Sequence, residues 1–319
     1  MKKIFIVIIA FIFCSSLFSQ NINIGVLNGP TCIPAAYLMN KNNSSYNFEV
    51  FSDPSQLIPK MIKQEIDIGF LPVNVAAKVY KSSKKQIVLC AVVGNGNLSL
   101  ITKDKSIKKI SDLKGKTVYM AGHGATPEYM FSYLIEENGL SINEKNGITL
   151  DYSIPVQQIP AMLINNKINY AIVPQPFSTI AKTKSKDVIE AIDLQREYES
   201  FEGEGKTYPI SVMVVGKKFA EKNPEILEAF LNEYNNAVEW TLNYPSQSGK
   251  LCSKMNLGLD SNVVAKAIPD SNYVFIPASE AQEYVEKLLT IFLTADPESI
   301  GGTLPDEWFY YSKEKFFEK

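Results

Sequence analysis

The 319-residue sequence contains one arginine, Arg196, and one histidine, His123. With a single guanidinium, forked recognition of carboxylate or phosphate groups is nearly closed to this chain. With a single imidazole and no nucleophile-base pair, no hydrolytic constellation is written either, and no turnover is expected. Cysteine is scarce as well. Four are present, with no Cys-x-x-Cys pair, and only Cys32, Cys90 and Cys252 lie beyond residue 20. That odd number at wide spacing spells neither a disulfide framework nor a zinc site, so buried thiols are expected. Basic clusters are missing and the formal net charge is -2, which excludes nucleic acid and an acidic membrane surface as implied partners. A permanent membrane helix needs roughly 20 apolar residues. The run Ile4 to Phe13 is too short for one.

That run does have another use. Lys2 and Lys3 precede it and the small residues Ser15, Ser16 and Ser19 follow it, the pattern of a secretory leader over residues 1–20 cut after Ser19. The chain is therefore expected in the periplasm or on the outer face of the cytoplasmic membrane. Cys14 raises lipid anchoring, but Phe13 stands where a small residue is required, so anchoring is not favoured. About 300 further residues, in a chain that is 45% hydrophobic, exceed one core and predict two domains.

From Asn21 onward, short apolar runs alternate with helical patterns. Strands are predicted at 22–27, 48–51, 66–70 and 87–93, each followed by a turn or loop such as Asn28-Gly29-Pro30-Thr31, Ser52-Asp53-Pro54, Leu71-Pro72-Val73-Asn74 or Gly94-Asn95-Gly96-Asn97. A second series opens at Ser111. It has strands at 117–121, 148–154 and 169–173, the loop Gly122-His123-Gly124-Ala125-Thr126, and a helix from Pro127 with Thr126 as its N-cap. Strands alternating with helices imply βαβ units. Residues 195–208 read as a charged surface loop, 210–215 as a returning strand, and the remainder as helices packing back on the first unit. The predicted organisation is lobe I from 21–102 and 213–319, with lobe II, 103–212, inserted between two crossings near Leu100 to Lys103 and Ser211 to Val214.

Five segments carry a family resemblance: Gly25 to Pro34 (GVLNGPTCIP), Glu65 to Asn74 (EIDIGFLPVN), Ile110 to Gly124 (ISDLKGKTVYMAGHG), Val173 to Phe177 (VPQPF) and Val214 to Glu225 (VVGKKFAEKNPE). In this order they resemble the solute-binding proteins of ABC importers for sulfonates, nitrate and thiamine precursors, a family that includes the fungal thiamine-pyrimidine synthases. The resemblance implies an α/β, two-lobed periplasmic binding protein of type II. Such a Venus flytrap has two mixed, mostly parallel sheets with flanking helices, and closes over a small molecule by hinge bending. It further implies an ABC permease and ATPase as partners, a monomer and no cofactor. The fungal enzymes' cysteine-rich run is absent here, which argues against their chemistry. A binding lobe that feeds a membrane sensor is the third reading. The aromatic tail through Tyr310 and Tyr311 and both tryptophans, Trp240 and Trp308, are expected to pack lobe I rather than cage a ligand.

Ligands of open α/β sheets bind outside the carboxyl ends of the strands. That rule selects Asn28, Thr31, Asp53, Asn74, Asn95, His123, Thr126, Gln175 and Phe177 as candidate ligand-binding residues, with Asp53 the only acid. Amides suit a neutral or weakly basic heterocycle stacked on Phe177 or Tyr37, which is the favoured ligand class. Backbone N–H groups expected at Gly122 and Gly124, ahead of a helix, keep a sulfonate or nitrate-type anion as the alternative.

Overall fold

The computed structural model describes residues 21–317 except 42 and 121, so the expected leader, its cleavage site and Cys14 lie outside the described residues. Eleven strands are present among them: β1 (Ile22–Leu27), β2 (Tyr46–Phe51), β3 (Ile68–Pro72), β4 (Ile87–Asn95), β5 (Leu98–Thr102), β6 (Thr117–Met120), β7 (Thr149–Asp151), β8 (Tyr170–Pro174), β9 (Ile189–Asp193), β10 (Pro209–Gly216) and β11 (Tyr273–Pro277). They form two sheets, in the orders β11-β4-β10-β3-β1-β2 and β7-β6-β8-β5-β9. Both are mixed, as expected, but not mostly parallel, since the returning and edge strands bring five antiparallel pairs against four parallel ones. β1 runs parallel to β2 and β3, and β6 parallel to β7 and β8, with β5, β10 and β11 supplying the antiparallel pairs. The helices that bear on the space between the sheets are α1 (Cys32–Asn40), α2 (Pro54–Ile62), α3 (Val73–Ser82) and α4 (Thr126–Glu137).

The chain leaves the first sheet at Gly96-Asn97, because Leu98 already pairs with Pro174 in the second sheet. It is back in the first sheet from Pro209 onward, where β10 pairs with β4. Both crossings thus fall earlier than the apolar pattern suggested. β4 and β5 are buried along their whole length, and periodicity cannot separate two buried strands joined by two residues. Residues 195–208, read as a loop, overlap the helix Leu194–Glu202. It escapes a pattern search because it buries only Leu194 and Tyr198, one turn apart, and is otherwise mostly charged. Asp193 caps it, accepting the N–H of Gln195 at 2.9 Å. β11, missed among the late helices, adds an edge strand to the first sheet beside β4.

Gly25 and Gly69 sit opposite each other in β1 and β3. A methyl group on Gly25 would overlap Leu57, and one on Gly69 would lie 2.6 Å from Met61 Sδ. Leu57 and Met61 are the buried face of α2, so this glycine pair is what lets α2 lie against the sheet. The three thiols are free and buried, as expected, and burial pushes Cys32 up to about 11.

The aromatic tail packs the first sheet. Phe309, Tyr310 and Tyr311 are buried, Tyr311 N–H donates to Leu89 O at 2.8 Å, and Phe309 lies 5.0 Å from the Tyr80 ring. Trp240 stacks on Tyr37 at 4.7 Å, whereas Trp308 is 36% exposed and is the exception to the packing expectation. Asp306 ties the tail down: it accepts the Tyr80 hydroxyl at 2.5 Å and the Trp308 N–H at 3.1 Å, and pairs with Lys85 Nζ at 2.6 Å. Burial pushes its carboxyl up, but those bonds outweigh burial and hold it below the ordinary carboxylate value.

Gly25→Ala or Gly69→Ala should each destabilise the fold by about 1–3 kcal/mol through overpacking, measured by urea unfolding. Because the Asp306 pKa is depressed in the folded state, its contribution is present above the unfolded value and fades as pH falls through the folded one. Asp306→Asn should therefore lower stability at pH 7 by about 1 kcal/mol, and the gap to wild type should close in melts taken toward pH 2.

Candidate functional site

A cleft of about 460 Å³ opens between the two sheets at the carboxyl ends of their parallel strands. The first sheet contributes the loop after β1 (Asn28, Pro30 and Thr31), the start of α2 (Asp53, Pro54 and Ser55) and the end of β3 (Leu71 and Pro72). The second contributes the glycine loop before α4 (Gly122, His123 and Gly124), Val156 and Gln157, and the end of β8. Leu98 of β5 and Ser211 of β10 form its back wall, so both crossing strands reach it. Apolar side chains such as Leu27, Ile58, Val75 and Ile172 fill much of the surface between these groups.

Asp53 and His123 are the only ionisable side chains among the lining residues, and neither lysine nor arginine is there. Asp53 Oδ1 accepts the Ser55 N–H at 2.8 Å, capping α2 from an extended backbone, so the helix start fixes where the carboxylate stands. Thr31 donates its hydroxyl to Leu27 O at 2.9 Å and is nearly buried. Asn28 is exposed, with its own N–H donated to Phe51 O at 2.8 Å.

The glycine loop is organised by Glu128, in the first turn of α4. One carboxylate oxygen lies 3.0 Å from His123 Nδ1 and also accepts the Gly124 N–H, and the other accepts the Tyr152 hydroxyl at 2.9 Å. The imidazole rests on the Tyr152 ring, 4.6 Å between centroids, with its other face toward solvent. Burial, followed by the Glu128 charge, pushes the Tyr152 hydroxyl well above its ordinary value, which keeps it a donor. Gly122 and Gly124 adopt φ of +89° and +72°, so the tight loop needs residues without a Cβ. One expectation changes here. The Gly124 N–H thought to await an anion is already taken by a carboxylate of the same chain.

Of the nine residues selected from sequence, Asn28, Thr31, Asp53 and His123 meet in the cleft. The other five do not line it. Asn74 is fully buried: its Nδ2 donates to Gly124 O at 2.9 Å and Ser299 O at 3.3 Å, and its Oδ1 accepts the Thr126 hydroxyl at 3.2 Å. That bond also displaces Thr126 from its expected role. The N-cap is Ala125 and Thr126 is the first helical residue. Asn95 accepts the Tyr284 hydroxyl at 2.8 Å, and Gln175 accepts that of Thr179 at 2.8 Å. Phe177 packs in an apolar cluster with Ile159, Leu163 and Val173, and Tyr37 faces Trp240, and neither ring is among the residues lining the cleft. Asn74, Asn95 and Gln175 are buried, and each spends its side-chain oxygen on a hydroxyl inside the protein. Glu128 and Tyr152 were the residues missed. The only sequence signal was an acid in the first turn of a helix that follows two glycines.

Residues 52–248 match the model of the family described as NMT1/THI5 like. The chain belongs to this family. Its fold is similar to that of an ABC transporter protein from Parabacteroides distasonis, with 24% identity, 92% of this chain and 99% of that one covered, and a TM-score of 0.78. It is also similar to the periplasmic aliphatic sulphonate binding protein of Escherichia coli (17% identity, 90% and 92% covered, TM-score 0.68). The periplasmic nitrate-binding protein of Synechocystis PCC 6803 is a further likeness (11%, 94% and 89%, 0.66). No curated protein matches the sequence. These likenesses bear out the two-lobed binding-protein fold, and the family match bears out the resemblance drawn from the five segments.

Glu128→Ala should release Gly124 N–H, Tyr152 and His123 together and destabilise the chain by about 2 kcal/mol, with Glu128→Gln milder. Chemical denaturation of both variants beside wild type checks the order.

Proposed function

We propose that this chain is a solute-binding protein of ABC-importer type, exported from the cytoplasm, which captures a neutral or weakly basic heterocycle between its lobes. The observation that carries the ligand class is the composition of the cleft walls: apolar surface, amides and hydroxyls, one carboxylate at Asp53, and no lysine or arginine. Its volume of about 460 Å³ lies within the usual range for small-molecule sites. A sulfonate or nitrate would meet Asp53 and, behind His123, Glu128, both of which repel it, without a cation to offset them. A ring carrying a basic nitrogen would find Asp53 as a partner and the prolines and His123 as contact surfaces, in place of Phe177 and Tyr37. The lobes correspond to the two sheets and close about the crossings at Gly96-Asn97 and before Pro209. A permease and ATPase receive the cargo, and the protein itself does not transform it.

Thermal-shift and calorimetric titration with an aminopyrimidine thiamine precursor, an alkylsulfonate and nitrate tests this reading. The heterocycle should raise the melting temperature and bind with micromolar affinity, about -8 kcal/mol. Asp53→Asn should weaken it about tenfold, and no product should accumulate. Tight binding of the sulfonate or nitrate alone, or consumption of the heterocycle, would overturn it.

A further inference from the structure

Asparagine followed by glycine is a reactive pair, because glycine has no side chain to keep its backbone nitrogen away from the asparagine carboxamide. Four such pairs occur: Asn28-Gly29, Asn95-Gly96, Asn138-Gly139 and Asn146-Gly147. For the reaction to start, the glycine N–H must give up its proton, and the peptide must turn until that nitrogen reaches the asparagine Cγ. A glycine N–H donated to a carbonyl is held against both, so conversion there waits for local opening of the fold.

Three of the four pairs are held in this way. Gly96 N–H donates to Tyr208 O at 3.0 Å, Gly139 N–H to Glu136 O at 2.8 Å and Gly147 N–H to Glu144 O at 2.9 Å. Two of these three carboxamides are engaged as well: Asn95 Oδ1 accepts the Tyr284 hydroxyl and Asn138 Nδ2 donates to Leu134 O, both at 2.8 Å.

Asn28-Gly29 is the exception. Among the described residues, neither the Gly29 N–H nor the Asn28 carboxamide has a hydrogen-bond partner. The Asn28 side chain is exposed on the wall of the ligand cleft. Gly29 is buried, at φ +133° and with open space where a Cβ would stand. Its burial is no obstacle, since the attack is intramolecular. The end that must release ammonia and admit water is the carboxamide, and that end faces solvent.

We propose that the folded protein deamidates at Asn28 and that the cleft thereby acquires a second carboxylate. The Gly29 nitrogen, its proton lost to solvent base, attacks Asn28 Cγ. The Cγ–Nδ2 bond breaks and that nitrogen leaves, reprotonated, as ammonia. One water then opens the five-membered imide at either carbonyl, leaving an aspartyl or an isoaspartyl linkage at position 28. The balance is one water in and one ammonia out, with no oxidation or reduction. Asn28 N–H donates to Phe51 O at 2.8 Å, just before Asp53, so the new charge arises beside the acid already in the cleft. The isoaspartyl product also adds one backbone atom to the turn that positions Thr31. The walls of the cleft thus change with the age of the molecule.

The full chain, held in mildly alkaline buffer either folded or unfolded in guanidinium chloride, tests this by peptide mass mapping and enzymatic methyl labelling of isoaspartyl groups. In the folded arm, the peptide carrying Asn28 should gain the mass of one deamidation about tenfold faster than those carrying Asn95, Asn138 and Asn146. In the unfolded arm the four should convert at similar rates, since nothing then holds the other three back. Asn28→Gln should remove most of the label from the folded protein. Equal rates at the four sites in the folded arm, or a faster rate at any of the other three, would overturn the proposal. So would an Asn28 that converts only when unfolded, or undiminished label in Asn28→Gln. A lead for Asn28 as large in guanidinium would overturn it too, by tracing the selectivity to local sequence rather than to the fold. No ligand is present in either arm, so the outcome is independent of the heterocycle titration.

Discussion

The side chain of Asn74 is buried, and a buried amide must find partners for both its oxygen and its nitrogen. It finds them in two separate stretches of sequence: Gly124 and Thr126 from the second body, and Ser299 from the far C-terminal region. No local arrangement of α3 could satisfy it. The juxtaposition of the two bodies around the glycine loop is thus written into one polar side chain, with the hydroxyl of Tyr129 on Asp296 at 2.7 Å and the Lys287 to Glu202 ion pair as companions. Leaving such an amide unpaired would cost about 1–3 kcal/mol, a large fraction of the stability of any domain.

The glycine loop that Asn74 grips is gripped from the other side by Glu128. Between them they fix its carbonyl and amide at Gly124, one bond each. A loop held this way presents His123 to the cleft, with the imidazole steadied by Glu128 and the Tyr152 ring. It also spends its own positive helix end on an internal carboxylate, so the local field offers little to an anion.

The α/β organisation could be read directly, since β1, β3 and β4 are apolar runs bounded by turn residues. The elements that escaped were those whose burial pattern mimics something else. β5 continues an apolar run, and the helix Leu194–Glu202 hides two buried residues among charges. In the site, the strand-end rule selected several loops that line the cleft but could not say which of their residues face it. Pro174 faces the cleft while Gln175 turns to Thr179, and Pro72 faces it while Asn74 turns inward. Both strands end at the proline, so the turn into the following helix sets where the next side chains point, and that turn is fixed by partners far away in the chain such as Ser299.

Side-chain alternation does decide the walls at the crossing after β4. Leu98 of β5 lines the cleft between the sheets, whereas Ser99 lines a separate recess, where its hydroxyl donates to Glu190 at 2.6 Å. A shift of β5 by one residue would exchange these side chains and give each recess the other's wall. The register of one short strand is thus a shared boundary condition for two recesses of different chemistry.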